Sequence, residues 1–286
     1  MNYVYRDKLV LITGASRGIG LAFARELAEE GAELILTARN RQRLDVAVTY
    51  LQPGSRIAMA VVADLSALFG AEQLISEVEE LGRPIDVLIN NAGIAFGGEL
   101  TDEPWDRLES MVTLNSLSVA KLTHWAASAM KARKSGRILH VSAVTANQPV
   151  PQFGLYSATK AFVSSLSMAT YRELKPYGVM VSALHPPATA TDFADHADIR
   201  STLALRVFGF MSPAQVAHAG LVGLRAGRLR IIPGLLGKVI WFSANITPTI
   251  VGMAIMTVLF RRRRTAISGG KQTATAISKA AQEFRR

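Results

Sequence analysis

The chain of 286 residues contains no cysteine, which excludes disulfides and thiolate metal sites. Its five histidines, His124, His140, His185, His196 and His218, form no close ligand pair, so no metal centre is expected. His140, inside the apolar run RILHVSA, reads as a core residue. Charge is missing altogether from Val239 to Phe260, 22 residues closed by Arg261 to Arg264. A basic folded face is missing too. Of the net charge of +10, residues 261–286 supply +7, with eight Lys or Arg against one Glu, and only +3 is left for residues 1–260. Nucleic-acid binding would want that charge spread over a folded surface, so no nucleic-acid partner is expected. No secretory signal stands at the N-terminus, because Arg6, Asp7 and Lys8 precede the first apolar run; the expectation is a cytoplasmic domain.

That first run is KLVLIT at 8–13, rich in strand formers, and it leads into GASRGIGLAFARELAEEGA, a helical pattern ending at Gly31. A strand, a tight glycine turn and a helix N-terminus aim free backbone N–H groups at a pyrophosphate. The spacing Gly14, Gly18, Gly20 differs from the GxGxxG fingerprint. A second strand, AELILTA, ends at Ala38 and Arg39. An acid near this point would bind a bare ribose, and a nearby arginine accommodates a 2′-phosphate. Thr37 to Gln42 contain no acid, so Arg17 and Arg39 both point to NADP, whereas Arg41 and Arg43 read as surface charge.

About 140 residues after the glycine turn comes LYSATK, with Tyr156 and Lys160 four residues apart. On a helix that spacing puts phenol and ammonium on one face, where the cation favours the phenolate. With TGASRGIG at 13–20, NNAG at 90–93, Asn115 and YSATK at 156–160, the chain resembles the short-chain dehydrogenase/reductase family over about residues 7–232. Among its members it looks most like NADP-dependent ketoreductases of lipid-like carbonyls.

The resemblance implies an α/β fold, a doubly wound parallel sheet of the Rossmann type, here with a hydrophobic C-terminal helical extension. It implies a cofactor site made by Gly14, Ser16, Arg17, Gly18, Ile19 and Gly20, with Arg39, with Asp64 and Leu65 near the adenine, and with Asn90 and Gly93 as walls flanking Asn91 and Ala92. By the same carry-over Tyr156 protonates the carbonyl oxygen during hydride delivery. Lys160 binds the nicotinamide ribose and lowers the tyrosine pKa, and Asn115 holds a water that links Lys160 to solvent. A homodimer or homotetramer is implied as well.

Two positions depart from the family pattern. The serine expected 13 residues before the tyrosine is Ala143, with Ser142 one place earlier. One step along an extended strand reverses side-chain direction, although a bulge at the strand end would turn Ser142 or Thr145 inward. Ser142 is the candidate for the role. In HPPATATDF at 185–193, Pro187 replaces a glycine, fixing φ and removing an N–H. Thr191 is the candidate for the nicotinamide amide, with Thr189 as the alternative.

Composition and strand–helix alternation predict one catalytic domain over 1–232, an apolar extension over 233–264 and a basic tail over 265–286. About 20 apolar residues suffice to span a bilayer, but Asn245 and Pro248 interrupt the stretch, and a single span would put the arginines outside. Two short apolar helices broken at Pro248 and lying on an anionic membrane surface fit better; burial against protein is the alternative. The apolar segment STLALRVFGFM at 201–211, with Phe96 and Phe153, suggests a hydrophobic substrate. The leading expectation is an NADPH-dependent reductase of a hydrophobic ketone or aldehyde. Its rival is an NADP-binding sensor or scaffold at a membrane with little catalysis.

Overall fold

The computed structural model describes residues 3–51, 54–190 and 209–260. Seven strands form one parallel sheet: β1 Leu9–Thr13, β2 Glu33–Ala38, β3 Arg56–Val62, β4 Val87–Asn90, β5 Gly136–Val141, β6 Val179–Leu184 and β7 Arg230–Ile231. Their order across the sheet is β3-β2-β1-β4-β5-β6-β7. Parallel strands need crossovers, and helices supply them. These are α1 Gly18–Glu29, α2 Arg41–Leu51, α3 Gly70–Glu79, α4 Trp105–Val112, α5 Ser118–Ala132, α6 Gly154–Leu174 and α7 Pro213–Arg225.

Helices on both faces explain why the strands read as unbroken apolar runs rather than alternating ones. In β1 every residue is buried. Val10 and Ile12 join one core cluster with Phe23 and Leu27 of α1 and Leu221 of α7. Leu9 and Leu11 point the other way, into a second cluster with Leu74 of α3 and Leu122 of α5. The period-2 alternation of a strand thus feeds two cores from one sequence run. The order reverses between β1 and β4, and the crevice beyond the carboxyl ends of the strands at such a switch is where ligands bind.

The expected break at Pro248 is present. Helix α8 runs Gly234–Ile246 and α9 runs Thr249–Leu259. Among the described residues no helix is long and apolar enough to cross a membrane.

Two buried histidines give the fold an acid limit. His140 in β5 is fully buried, and burial, reinforced by the Lys160 charge, pulls its pKa down to about 3. His185, just past β6, is pulled to about 4 by burial. Both are therefore neutral in the fold but protonate near their ordinary 6.5 when the chain unfolds. Stability is full above 6.5 and falls as pH drops from there towards 4 and 3, by about 2 kcal/mol for each histidine at pH 5. The urea midpoint is expected to drop markedly between pH 7.5 and pH 5, and His140→Leu should flatten that slope. Equal midpoints at the two pH values would contradict this account.

Candidate active site

The carboxyl ends of the strands open into a cavity of about 590 Å³ that runs from the glycine turn to the C-terminal helices. The turn between β1 and α1 places Gly14 at φ 67° and Gly18 at φ 56°, the left-handed region that glycine enters without strain. Gly20 is needed for a different reason. A side chain there would overlap the Gly14 carbonyl oxygen and come within 2.6 Å of Asn91 Nδ2. Helix α1 has no side-chain cap and no acid in its first turn. Its first residues, Gly18 and Ile19, line the cavity, so its positive end lies at that wall, where an anion is favoured.

Around that turn the cavity is lined by Gly14, Ser16, Arg17, Gly18, Ile19, Arg39, Asp64, Leu65, Asn91, Ala92 and Gly93. Gly20 does not line the cavity. Arg43, read from the sequence as surface charge, lines the cavity with Arg39 and Asn40, while Arg41 does not. The reason is local: Arg43 N–H donates to Asn40 Oδ1 at 2.9 Å, which starts α2 beside the end of β2 and turns Arg43 to the same side as Arg39.

The placement of Asn90 as a wall of the site needs correction. Asn90 ends β4 pointing into the second core, where its Nδ2 donates to Thr123 Oγ1 at 3.2 Å, and it does not line the cavity. Asn91 lines it instead and braces the glycine turn, donating from Nδ2 to Thr13 O at 2.8 Å. Thr13 Oγ1 accepts from the backbone N–H groups of both Asn91 and Ala92 at 2.9 Å, tying the ends of β1 and β4 together.

Tyr156 and Lys160 lie in the first two turns of α6 and are both buried. Lys160 Nζ donates to Val141 O at 3.0 Å and lies 5.9 Å from the Tyr156 ring centre. Burial draws the Lys160 pKa down to about 8. Burial also raises the Tyr156 phenol above its ordinary value, the reverse of the lowering that the i,i+4 spacing suggests. At this distance the ammonium does not offset the desolvation of the phenolate, so the phenol holds its proton at neutral pH.

Asn115 sits in a one-turn π-helical widening, Thr113–Leu117, between α4 and α5. Such widenings turn a side chain out of helical register. Fully buried, Asn115 accepts from Ile94 N–H at 3.0 Å and donates to Ile94 O at 2.8 Å and to Thr159 Oγ1 at 3.1 Å. It holds the segment after β4 against α6. Because Gly93 has no side chain, its Cα faces Asn115 Oδ1 and Lys160 Nζ, each 3.2 Å from where a Cβ would stand.

Ser142 lines the cavity but donates its hydroxyl proton to Lys160 O at 2.8 Å. The part it can play is to anchor α6 to the end of β5. The Thr145 hydroxyl is buried without a partner in the following turn, Val144–Asn147, and Ala143 O accepts from or faces His185 Nδ1 at 3.2 Å according to the tautomer. Thr189 lines the cavity, its hydroxyl donating to Pro187 O at 3.0 Å. Thr191 lies outside the described residues. The rest of the lining is largely apolar, interrupted by Ser110, Thr145, Gln148 and Gln215. Phe96, Phe153, Phe210, Met211, Ile240 and Met256 all face the space. Of the segment 201–211, Gly209, Phe210 and Met211 are described, and all three line it. Among the described residues no group of His, Asp and Glu could hold a metal ion.

The sequence profile of the short chain dehydrogenase family matches residues 8–202. The chain belongs to this family of oxidoreductases. It is 30% identical to the ketoacyl reductase HetN of Nostoc over 225 residues, covering 79% of this chain and 78% of that one. It is 32% identical over 190 residues to the very-long-chain 3-oxoacyl-CoA reductase of Bos taurus, covering 64% of this chain and 60% of that relative, less than two thirds of its length. Among solved structures, a short-chain dehydrogenase from Sphingobium yanoikuyae in complex with NADPH superimposes with a TM-score of 0.75 at 31% identity, covering 92% of this chain and 99% of that one. Gly14 of the glycine turn, Asn91, Tyr156 and Lys160 all line the one cavity.

Proposed function

We propose that this protein is an NADPH-dependent reductase that converts a hydrophobic, lipid-like ketone or aldehyde to the alcohol. The observation that carries the reading is a buried, protonated Tyr156 standing between a cationic end of the cavity, with Arg17, Arg39 and Arg43, and an apolar end. Reduction needs a proton for the carbonyl oxygen, and a phenol that keeps its proton at neutral pH is a source of it. The cofactor is NADP(H), held by the uncapped end of α1 and by the arginines, and when bound it supplies the hydride. Lys160 carries positive charge next to the phenol at neutral pH, Asn115 and Ser142 keep Lys160 and α6 in place, and Thr189 or Thr191 meets the nicotinamide amide. The names of the ketoacyl and very-long-chain 3-oxoacyl-CoA reductases among the relatives support a lipid-like substrate. We place the enzyme in the cytoplasm, as a homodimer or homotetramer that meets an anionic membrane surface.

A rival reading, an NADP-binding sensor with little turnover, draws on Ala143 and on the commitment of the Ser142 hydroxyl to Lys160 O. NADPH oxidation measured over a panel of long-chain and polycyclic carbonyls separates the two, since the sensor reading predicts cofactor binding without turnover of any of them. The same assay tests the cofactor. Wild type should prefer NADPH over NADH by about tenfold or more, and Arg39→Asp should reverse the order, because an acid there repels a 2′-phosphate and accepts from a ribose hydroxyl. Equal use of both cofactors by the wild type would refute this assignment.

A further inference from the structure

Helices α8 and α9 are apolar on two opposite faces. The inner face closes the cavity with Leu236, Ile240, Met256 and Leu259, and Phe260 meets Phe153 edge-on with ring centres 5.4 Å apart. Trp241 seats α8 on the domain, its ring centre 4.3 Å from that of His185. The outer face carries a second stripe. In α8 Leu235, Val239, Phe242 and Ile246 repeat at helical spacing and are exposed, Leu235 at 78% and Phe242 and Ile246 at 66%. In α9 Ile250, Val251, Ile255 and Val258 continue it, with Ile250 at 79%.

A helix pair that turns one apolar face to the cavity and leaves another open is built for two non-aqueous environments. Monomeric proteins rarely expose contiguous apolar patches of this kind without a partner. The charges say which partner. Lys238 is the single charged residue in the two helices, and the chain then continues directly into Arg261–Arg264 and a segment of net charge +7. Cations beside an apolar stripe are the pattern that binds anionic lipid, the stripe entering the acyl boundary and the cations meeting the phosphates. At 13 and 11 residues the helices measure about 20 and 16 Å, short of the ~30 Å hydrocarbon core, so they lie along the surface and do not cross it.

We propose that α8 and α9 lie in the head-group region of an anionic membrane and form the entrance by which a membrane-dissolved carbonyl compound reaches the cavity without passing through water. The proposal rests on the reductase reading above. Ile240 of α8 and Met256 of α9 both line the cavity, so a substrate that parts the two helices goes from acyl chains into the side of the cavity that Phe96, Phe153 and Met211 also line.

The test uses the full chain, vesicles of phosphatidylcholine with and without phosphatidylglycerol, a long-chain ketone dissolved in the vesicles and a short water-soluble ketone. Wild type should sediment with the phosphatidylglycerol vesicles and much less with phosphatidylcholine alone. Phe242→Glu combined with Ile246→Glu and Ile250→Glu should lower vesicle binding about tenfold or more. Turnover of the vesicle-borne ketone should fall by a similar factor, with turnover of the soluble ketone unchanged. Neutralising Arg261–Arg264 to Gln, which leaves both helices intact, should weaken binding to phosphatidylglycerol in the same direction. Wild type that ignores the vesicles, or Glu substitutions that split an oligomer in light scattering without altering vesicle binding, would overturn the proposal in favour of a subunit interface. Equal loss on both ketones would overturn the entrance. Vesicle binding with no turnover of either ketone would sink the reductase reading and leave the membrane-bound face standing.

Discussion

Tyr156→Phe should lower kcat for ketone reduction by about 10²–10⁴-fold while leaving the NADPH dissociation constant within about threefold of wild type. The substitution removes one oxygen from a ring that stays buried among Ala95, Leu108, Met111 and Phe153, so α6 and the cavity wall keep their shape. What is lost is the proton that burial holds on the phenol at neutral pH. Ser142→Ala should behave differently. Its hydroxyl bonds Lys160 O and not the open cavity, so its removal costs about 1 kcal/mol of stability and lowers kcat far less than the tyrosine change. Cofactor fluorescence titration and single-turnover rates read the two effects separately. Tyr156→Phe retaining more than a tenth of the wild-type rate would remove Tyr156 from the proton-donor role, and a loss at Ser142 as deep as at Tyr156 would return the serine to direct contact with substrate.

The residues legible in the sequence are those whose function follows from local spacing. The glycine turn is one, because strand, turn and helix lie within 20 residues. Another is the Tyr156–Lys160 pair, because four residues make a helical turn. The break at Pro248 is a third. Where one residue decides direction, the sequence is ambiguous. Asn90 and Asn91 are chemically identical neighbours at a strand end, and one step sends Asn90 towards Thr123 and Asn91 towards Thr13. Ser142 and Ala143 pose the same problem at the end of β5. Arg43 could have been found from Asn40 three residues earlier, an N-cap signal that starts α2 in a fixed phase. The raised phenol and the lowered ammonium were not readable at all, since both come from burial by distant elements. Nor was the double role of α8 and α9. A segment with apolar residues on two faces does not itself say which face meets the cavity.

Gly20→Ala should raise the NADPH dissociation constant by about tenfold or more and lower the melting temperature by several degrees, whereas Gly154→Ala should do neither. The two glycines both stand in the opening turns of helices, so helix propensity alone predicts that alanine helps at each. Their surroundings reverse that for one. At Gly20 the new methyl would overlap the Gly14 carbonyl oxygen and crowd Asn91 Nδ2, and neither can retreat, because Asn91 bonds the backbone of the same turn. Relief must come from moving α1 away from the turn, which costs about 1–3 kcal/mol as overpacking and displaces the N–H groups meant for the pyrophosphate. In a domain of this size each kcal/mol lowers the melting temperature by about 2–4 °C. At Gly154 a Cβ meets no atom within 4 Å, so the substitution should be neutral or raise the melting temperature slightly. Melting curves recorded with and without NADPH check both halves: Gly20→Ala should lose most of the cofactor-induced rise and Gly154→Ala should keep it. A Gly20→Ala protein that melts and binds like wild type would mean that the close contact between α1 and the turn does not govern the cofactor site.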